Sequence, residues 1–369
     1  MVISSKRPHV VHVLPTMGRS GYGVTAVVEG LLSAQRERGQ SVNFSTTDSP
    51  LSLSCESQIE IVHQHMIWLR HSCDAQSLAR KSCAPLVVAP HGALDPWARS
   101  KSYWKKKLVW YVREFRYLQA VQCLHATSPF EINYFRELGL TQPIAMIPNG
   151  LDLRRHPVPG FLEASAFLAK HPELKGKRCV LFLSRITAQK GLIPFLQAFE
   201  NFQAFSSAAD WHFLLAGSDQ DGYLQTIRDH LAHFDLLDKV TILPPLYGAD
   251  KQQAMAFAEV FVLPSLAEGF PMVVLEALAA GLPVISTTAS PWMCLPGQNA
   301  GWWVEPTTED LLCALKELCA LSPCEIKAMG VNARALVEQS FGLPEILSQY
   351  DALYSWLLGV APRPEFVHV

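Results

Sequence analysis

The chain has 369 residues, of which 49% are hydrophobic and 17% charged, and its formal net charge is -2. That length exceeds what one hydrophobic core serves, roughly 250–300 residues, and the composition excludes a disordered chain. So balanced a charge gives no bulk attraction for nucleic acid, which is excluded as a partner.

The chain opens with MVISSKRPHVVHVLP, a short apolar run without the longer apolar region and small-residue cleavage site of a signal peptide. No apolar run approaches the roughly 20 residues that cross a bilayer, so a cytoplasmic location is expected. Val10 to Leu14 predicts a buried strand. The glycine-bearing loop Met17-Gly18-Arg19-Ser20-Gly21-Tyr22-Gly23 follows it, then a helix from about Val24 to Glu37. Strand, glycine loop and helix form the opening unit of a doubly wound α/β domain. Further strands are predicted at Ile59 to His63, Leu86 to Ala89, Ala120 to Ala126 and Pro143 to Ile147. Helical stretches between most of them predict a parallel sheet.

Pro148-Asn149-Gly150 and the nearby Pro157, Pro159 and Gly160 break the pattern. A second alternation runs through Val180 to Leu183, His212 to Ala216, Val240 to Leu243, Val260 to Leu263 and Val284 to Ser286. An amphipathic helix from about Leu343 to Leu358 is expected to end the ordered chain. The predicted architecture is therefore two doubly wound α/β domains facing a central cleft. Residues 1–155 form the first, 156–340 the second, and 341–369 a terminal helix and tail, the helix expected to cross back to the first domain. The nine cysteines are scattered without a CxxC pair and read as buried small hydrophobes in a reducing compartment.

Chemistry concentrates in Ser265-Leu266-Ala267-Glu268-Gly269-Phe270-Pro271-Met272-Val273-Val274-Leu275-Glu276-Ala277. A strand ends at Pro264, and Pro271 is suited to the first helical position. The unpaired amides of Met272 and Val273 then face outward at the positive end of a helix, a natural phosphate site. Glu276, inside the helix, cannot bind phosphate but accepts two hydrogen bonds from a vicinal diol such as ribose. Taken alone, two glutamates on a surface are the ordinary case. Likewise Arg185 and Lys190, five residues apart after the strand at Val180, can converge on one diphosphate, although a solvated basic loop is the plainer reading.

Together these residues resemble the retaining glycosyltransferases of the GT-B fold known as family 4. Glu268 and Glu276 match that family's E-x7-E signature, and Arg185 and Lys190 its R-x4-K element. The resemblance implies that Glu276 holds the ribose, Glu268 contacts the transferred sugar, and the backbone of Gly269, Phe270, Met272 and Val273 holds donor oxygens. Arg185 and Lys190 would neutralise the leaving diphosphate. Pro271 stands where many members have glycine and has no amide to give. In the first domain His91, within Pro90-His91-Gly92-Ala93-Leu94-Asp95-Pro96-Trp97, matches the family's sugar-contacting histidine. That string resembles bacterial exopolysaccharide transferases, while Asn149 and Asp152 match an interdomain motif.

Gly18, Gly21 and Gly23 would let the first loop approach the donor phosphates. A dinucleotide site is the rival for that loop, but the GxGxxG order is missing. Gly217 and Leu246 are expected near the nucleoside, with no preference among bases. The resemblance implies a nucleotide-diphosphate sugar as co-substrate and no further cofactor. It also implies a glycan or lipid-linked acceptor, retention at the anomeric carbon, and a role in exopolysaccharide or cell-envelope glycan synthesis. No paired acids of DxD type stand at a strand end, so no metal site is expected. A GT-B epimerase or phosphorylase, or a non-catalytic sugar-nucleotide binder, is the alternative.

Between Arg99 and Arg116 lie seven basic residues interleaved with Tyr103, Trp104, Trp110, Tyr111 and Phe115, with Glu114 the only acid. Such a helix suits an anionic membrane surface or a phosphorylated lipid, and equally a half-buried helix with extended lysines. A peripheral location on the inner face of the membrane follows from the first reading.

Overall fold

The computed structural model describes residues 7–15, 22–49, 59–68 and 71–369. The chain divides into two compact units, one formed by 1–152 with 341–369 and the other by 153–340.

The first unit is built on one sheet. Its strands are β1 (Val10–Leu14), β2 (Val42–Thr46), β3 (Ile61–His65), β4 (Leu86–Ala89), β5 (Cys123–Ala126), β6 (Ile144–Met146) and β13 (Val367–His368). The order across the sheet is β13-β6-β5-β4-β3-β1-β2. Every pair is parallel except β13 on β6, which is antiparallel with Val367 opposite Ala145. The order reverses between β1 and β3, which is where ligands bind on sheets of this kind, outside the carboxyl ends of the strands. Side chains alternate between faces. Val10, Leu14, Ile61, Val87, Cys123 and Ala145 pack on one face with Val28, Leu31, Tyr350 and Tyr354 of the helices Tyr22–Glu37 and Leu343–Leu357. Val11, Val13, Val62, Val88 and Leu124 pack on the other with Ala75, Leu118 and Phe135.

The second unit carries β7 (Arg178–Leu183), β8 (Trp211–Ala216), β9 (Val240–Leu243), β10 (Val260–Leu263), β11 (Val284–Thr287) and β12 (Gly301–Val304). Their order is β12-β11-β10-β7-β8-β9, all parallel, so the switch point falls between β7 and β10. Strands buried on both faces read as continuous apolar runs, as Val260–Leu263 does. Phe182, Phe195, Phe199, Phe202, Phe213 and Trp211 are buried, and the tilted rings of Phe195 and Phe213 meet at 4.8 Å between centroids. Each such side chain contributes about 1.5–3 kcal/mol of hydrophobic stabilisation.

Four expectations are corrected. The sequence reading missed β2, whose VNFST carries polar residues at an outer strand, and β12. Ordered structure continues past the terminal helix, because the last residues return as β13. The strand expected at Ile59 to His63 lies two residues later, at Ile61–His65. Of the eight described cysteines, all free, Cys73, Cys83, Cys313 and Cys324 are exposed rather than buried; Cys55 lies outside the described residues.

Candidate active site

In the second unit the loops leaving β7 and β10 meet. The β7 loop is anchored on one side by the Ile186 amide, which donates to Ser218 O at 2.8 Å. Gly217, closing β8, permits this approach, since a Cβ there would lie 1.8 Å from Ser184 O. On the other side Gly191 has a φ of +63°, and a Cβ would lie 1.9 Å from Pro264 O. The Leu266 amide donates to Gln189 O at 2.8 Å, and Gln189 Nε2 returns a bond to Ala267 O at 2.8 Å.

This backbone contact brings together residues far apart in sequence. Lys190 Nζ lies 2.5 Å from Glu268 Oε1, and Ser265 Oγ donates to the same oxygen at 2.5 Å. The two side chains are 7% and 9% exposed, so the pair is desolvated and each charge depends on the other. The Glu268 amide donates to Ala289 O at 2.9 Å, which fixes the loop bearing it. Arg185, by contrast, is exposed, with Nη1 3.2 Å from Gln220 Oε1.

The helix after β10 runs Met272–Ala279. Pro271 is its N-cap, with a ψ of 104°, rather than its first helical residue. Met272 and Val273 therefore supply the first two helical amides, and the Val274 amide already turns back to Pro271 O at 3.1 Å. Phe270 rests on Trp292 at 5.2 Å between ring centroids. Glu276 is partly buried and pairs at 2.7 Å with Lys251, on the helix Gly248–Phe257. Sequence reasoning missed Lys251, because nothing in the spacing of residues 251 and 276 shows that their helices are neighbours. Leu246 is half-buried in the loop between β9 and that helix, and Gly269 is half-buried between Glu268 and Phe270.

In the first unit Gly18 and Gly21 lie outside the described residues. Gly23 sits in the first turn of the helix Tyr22–Glu37 and not in a loop, with open space where a Cβ would stand. His91 directly follows β4 in a left-handed conformation, φ 52°. The next residue is braced: the Gly92 amide donates to Glu131 Oε1 at 2.6 Å, and Thr127 donates to Glu131 Oε2 twice at 2.7 Å. Burial raises the Glu131 pKa, and these bonds oppose the rise. Asp95 Oδ1 caps the helix Pro96–Ser100 by accepting from the Trp97 amide at 2.6 Å. Asn149 is buried.

His91 is not alone. His12, His63, His65 and His125 are buried on the same sheet face, and His65 Nδ1 lies 2.9 Å from His91 Nε2. Burial is the main reason all five titrate below the usual 6.5, His12 and His125 at about 4 and His91 at about 3. The imidazoles are neutral at pH 7.

The basic aromatic segment forms helices Pro96–Ser100 and Tyr103–Val109, a π-turn Trp110–Glu114 and helix Phe115–Gln119. Trp104 is 76% exposed and Tyr111 67%, so the half-buried reading fails for the outer face. Beneath it lies a cavity of about 450 Å³ lined by Trp68, Arg99, Tyr103, Lys106 and Trp110. Among the described residues no helix is long and apolar enough to cross a membrane.

Comparison with known proteins agrees across both units. Residues 177–320 match the family model described as glycosyl transferases group 1, and residues 5–155 that of glycosyltransferase family 4. The chain is 26% identical over 218 residues to the GDP-mannose:cellobiosyl-diphosphopolyprenol alpha-mannosyltransferase of Xanthomonas oryzae pv. oryzae, covering 58% of this chain and 52% of that protein. It is 27% identical over 169 residues to the amylovoran biosynthesis glycosyltransferase AmsK of Erwinia amylovora, covering 44% and 40%. The chain thus spans about half the length of the curated relatives it matches. Among solved structures, Anabaena HepE in complex with UDP and glucose superposes with a TM-score of 0.71 at 15% identity, over 94% of this chain and 100% of that one.

Proposed function

This chain belongs to the group 1 and family 4 glycosyltransferases and has the GT-B fold, and on that footing we propose that it moves a sugar from a nucleotide-diphosphate donor with retention at the anomeric carbon. The observation that carries the reading is the meeting of Lys190, Glu268 and Ser265 beside the start of helix Met272–Ala279. A cation, an acid and unpaired helix amides at a topological switch point form a preorganised cradle for a leaving diphosphate.

In this reading Arg185, Lys190 and the Met272 and Val273 amides meet charge that grows on the leaving group. Such interactions raise the rate because they strengthen in the transition state. A bound diphosphate offers Lys190 a second acceptor besides Glu268. Glu276, oriented by Lys251, takes the ribose hydroxyls, and Glu268 and His91 contact the sugar. The cationic side chains and helix amides supply the positive charge, so the reaction needs no metal, and turnover is expected to be unchanged by EDTA. The Xanthomonas relative is named for a diphosphopolyprenol acceptor and the Erwinia relative for amylovoran biosynthesis. We extend that acceptor class, a lipid-linked or free glycan of the cell envelope, to this chain. The cavity at Trp68, Lys106 and Trp110, with its basic aromatic rim, suits a phosphorylated lipid at a membrane surface.

The test is release of nucleotide diphosphate from a panel of nucleotide sugars. Lys190→Ala and Glu276→Ala are each expected to lower turnover at least a hundredfold while the folded state persists at assay temperature. Wild-type turnover in both would refute the site.

A further inference from the structure

A sheet face buried under two helices is ordinarily Val, Ile and Leu. Here β1, β3 and β5 place His12, His63, His65 and His125 on that face, fully or almost fully buried, opposite Gln35 and Tyr354 of the covering helices. Each buried polar group costs free energy unless paired. In these four histidines every ring nitrogen is paired, and each is used once.

His125 Nε2 lies 2.8 Å from Ile147 O, and its Nδ1 3.2 Å from His63 Nε2. His63 Nδ1 lies 2.8 Å from the Tyr354 hydroxyl. This run ends at Tyr354: the Gln35 side chain lies near it, but Gln35 Nε2 makes no hydrogen bond. Gln35 Oε1 is 3.0 Å from His12 Nε2, His12 Nδ1 is 2.9 Å from His65 Nε2, and His65 Nδ1 is 2.9 Å from His91 Nε2.

The direction of each run can be deduced from one end. A carbonyl oxygen only accepts, so His125 carries its proton on Nε2. A neutral imidazole has one donor and one acceptor, so His125 Nδ1 accepts and His63 donates from Nε2. His63 Nδ1 then accepts from Tyr354. In the other run Gln35 Oε1 only accepts, so His12 donates to it from Nε2. By the same step His65 donates to His12, and His91 donates to His65. Among the described residues His91 Nδ1 has no partner.

We propose that Gln35, His12 and His65 are positioning residues in a directed hydrogen-bond chain, which starts at the Gln35 side-chain carbonyl and holds His91 as the Nε2–H tautomer with Nδ1 a bare acceptor for a substrate hydroxyl. The last clause rests on the glycosyl-transfer reading; the tautomer itself does not. The depressed histidine pKa values agree, because a second proton on any ring would leave two donors facing each other.

One ring nitrogen each of His12, His63 and His65 also lies within 4.8 Å of the others, a separation that a metal ion can bridge. Hydrogen bonding disfavours that use. Every ring nitrogen of the three is already paired, with Gln35, Tyr354, His125, His91 or one another, so an ion would have to displace these bonds.

The test is 15N NMR of the full-length protein labelled at histidine, without substrate at pH 7. All five imidazoles are expected as neutral Nε2–H tautomers. Gln35→Met, which removes the acceptor at the start of the chain, should give His91 a second set of signals with the proton on Nδ1. His12→Phe, which removes the next link, should do the same, and it serves if the first variant does not fold. Where donor turnover is measurable, kcat/KM should fall in proportion to the fraction of His91 in the Nδ1–H form. Three results would overturn the proposal: His91 protonated on Nδ1 in the wild type, a His91 tautomer unchanged in both variants, or one equivalent of bound zinc in the purified protein. Absence of glycosyl transfer with the expected tautomers would instead refute the functional reading and leave the chain standing.

Discussion

At the scale of single residues, the proposed donor site hangs on positions without side chains. Gly191 separates Lys190 from the helix Leu192–Gln203 and touches Pro264 O, so the loops bearing Lys190 and Glu268 can meet only if residue 191 has no Cβ. Gly191→Ala combines a left-handed backbone with a clash against main chain. It is expected to cost about 1–3 kcal/mol in thermal unfolding and to lower donor turnover. An alanine variant with wild-type stability and turnover would show that the loop contact is dispensable. Glu268 and Lys190 were legible as separate motif positions. Their contact was not, because residues 78 apart meet through the strand order, which no local spacing encodes. The histidines were hidden for a related reason. His63 and His65 share a face by alternation, but His12 and His125 join them only once β1 and β5 are placed in the same sheet.

At the scale of elements, most strands and the long helices could be read from apolar runs, and β4, β9 and β10 fall where the pattern places them. What escaped was β2, half polar at an edge, and β13, too short to carry a period. The histidine-bearing face also sets an acid limit. Folded pKa values of about 4 for His12 and His125 and about 3 for His91 lie below the ordinary 6.5. Desolvation is the leading cause, helped by the neighbouring histidines and, for His12, by Arg36 of the helix Tyr22–Glu37. The unfolded chain therefore binds more protons than the folded one below pH 6.5. Stability is fully present above that pH and is lost as pH falls toward 4, at about 1.4 kcal/mol per pH unit for each histidine acting alone. Denaturant titrations from pH 7.5 to 4.5 should show this decline, and Tyr354→Phe should not remove it. A flat profile would mean that the imidazoles are not buried as neutral rings. The segment Tyr103–Val109 presents Trp104, Leu108, Lys105 and Lys107 outward, with Lys106 half-buried at the cavity. Wild-type protein is expected to float with anionic liposomes, and Lys105→Glu, Lys106→Glu and Lys107→Glu together to abolish flotation. Binding unaffected by that charge reversal would sink the membrane reading.

At the scale of the whole molecule, two sheets, the second all parallel and the first parallel except at β13, each have their own switch point. The second unit holds the side chains and helix amides that suit a diphosphate leaving group, while the first holds His91 and the chain of buried imidazoles behind it. Family and fold were readable from short motifs, because phosphate binding at a strand-loop-helix junction constrains residue types at fixed spacing. Base, sugar and acceptor were not, because shape decides those choices, and Lys251 beside Glu276 shows how readily a contact between helices escapes a linear reading. On the proposed function, the second unit binds a nucleotide diphosphate through the cradle at Met272 and Glu276. Calorimetric titration with uridine, guanosine and adenosine diphosphates tests it most directly. One of them should bind with a stoichiometry of one, and Glu276→Ala should weaken that binding at least tenfold; no binding by any of the three, or equal affinity in the variant, would contradict it.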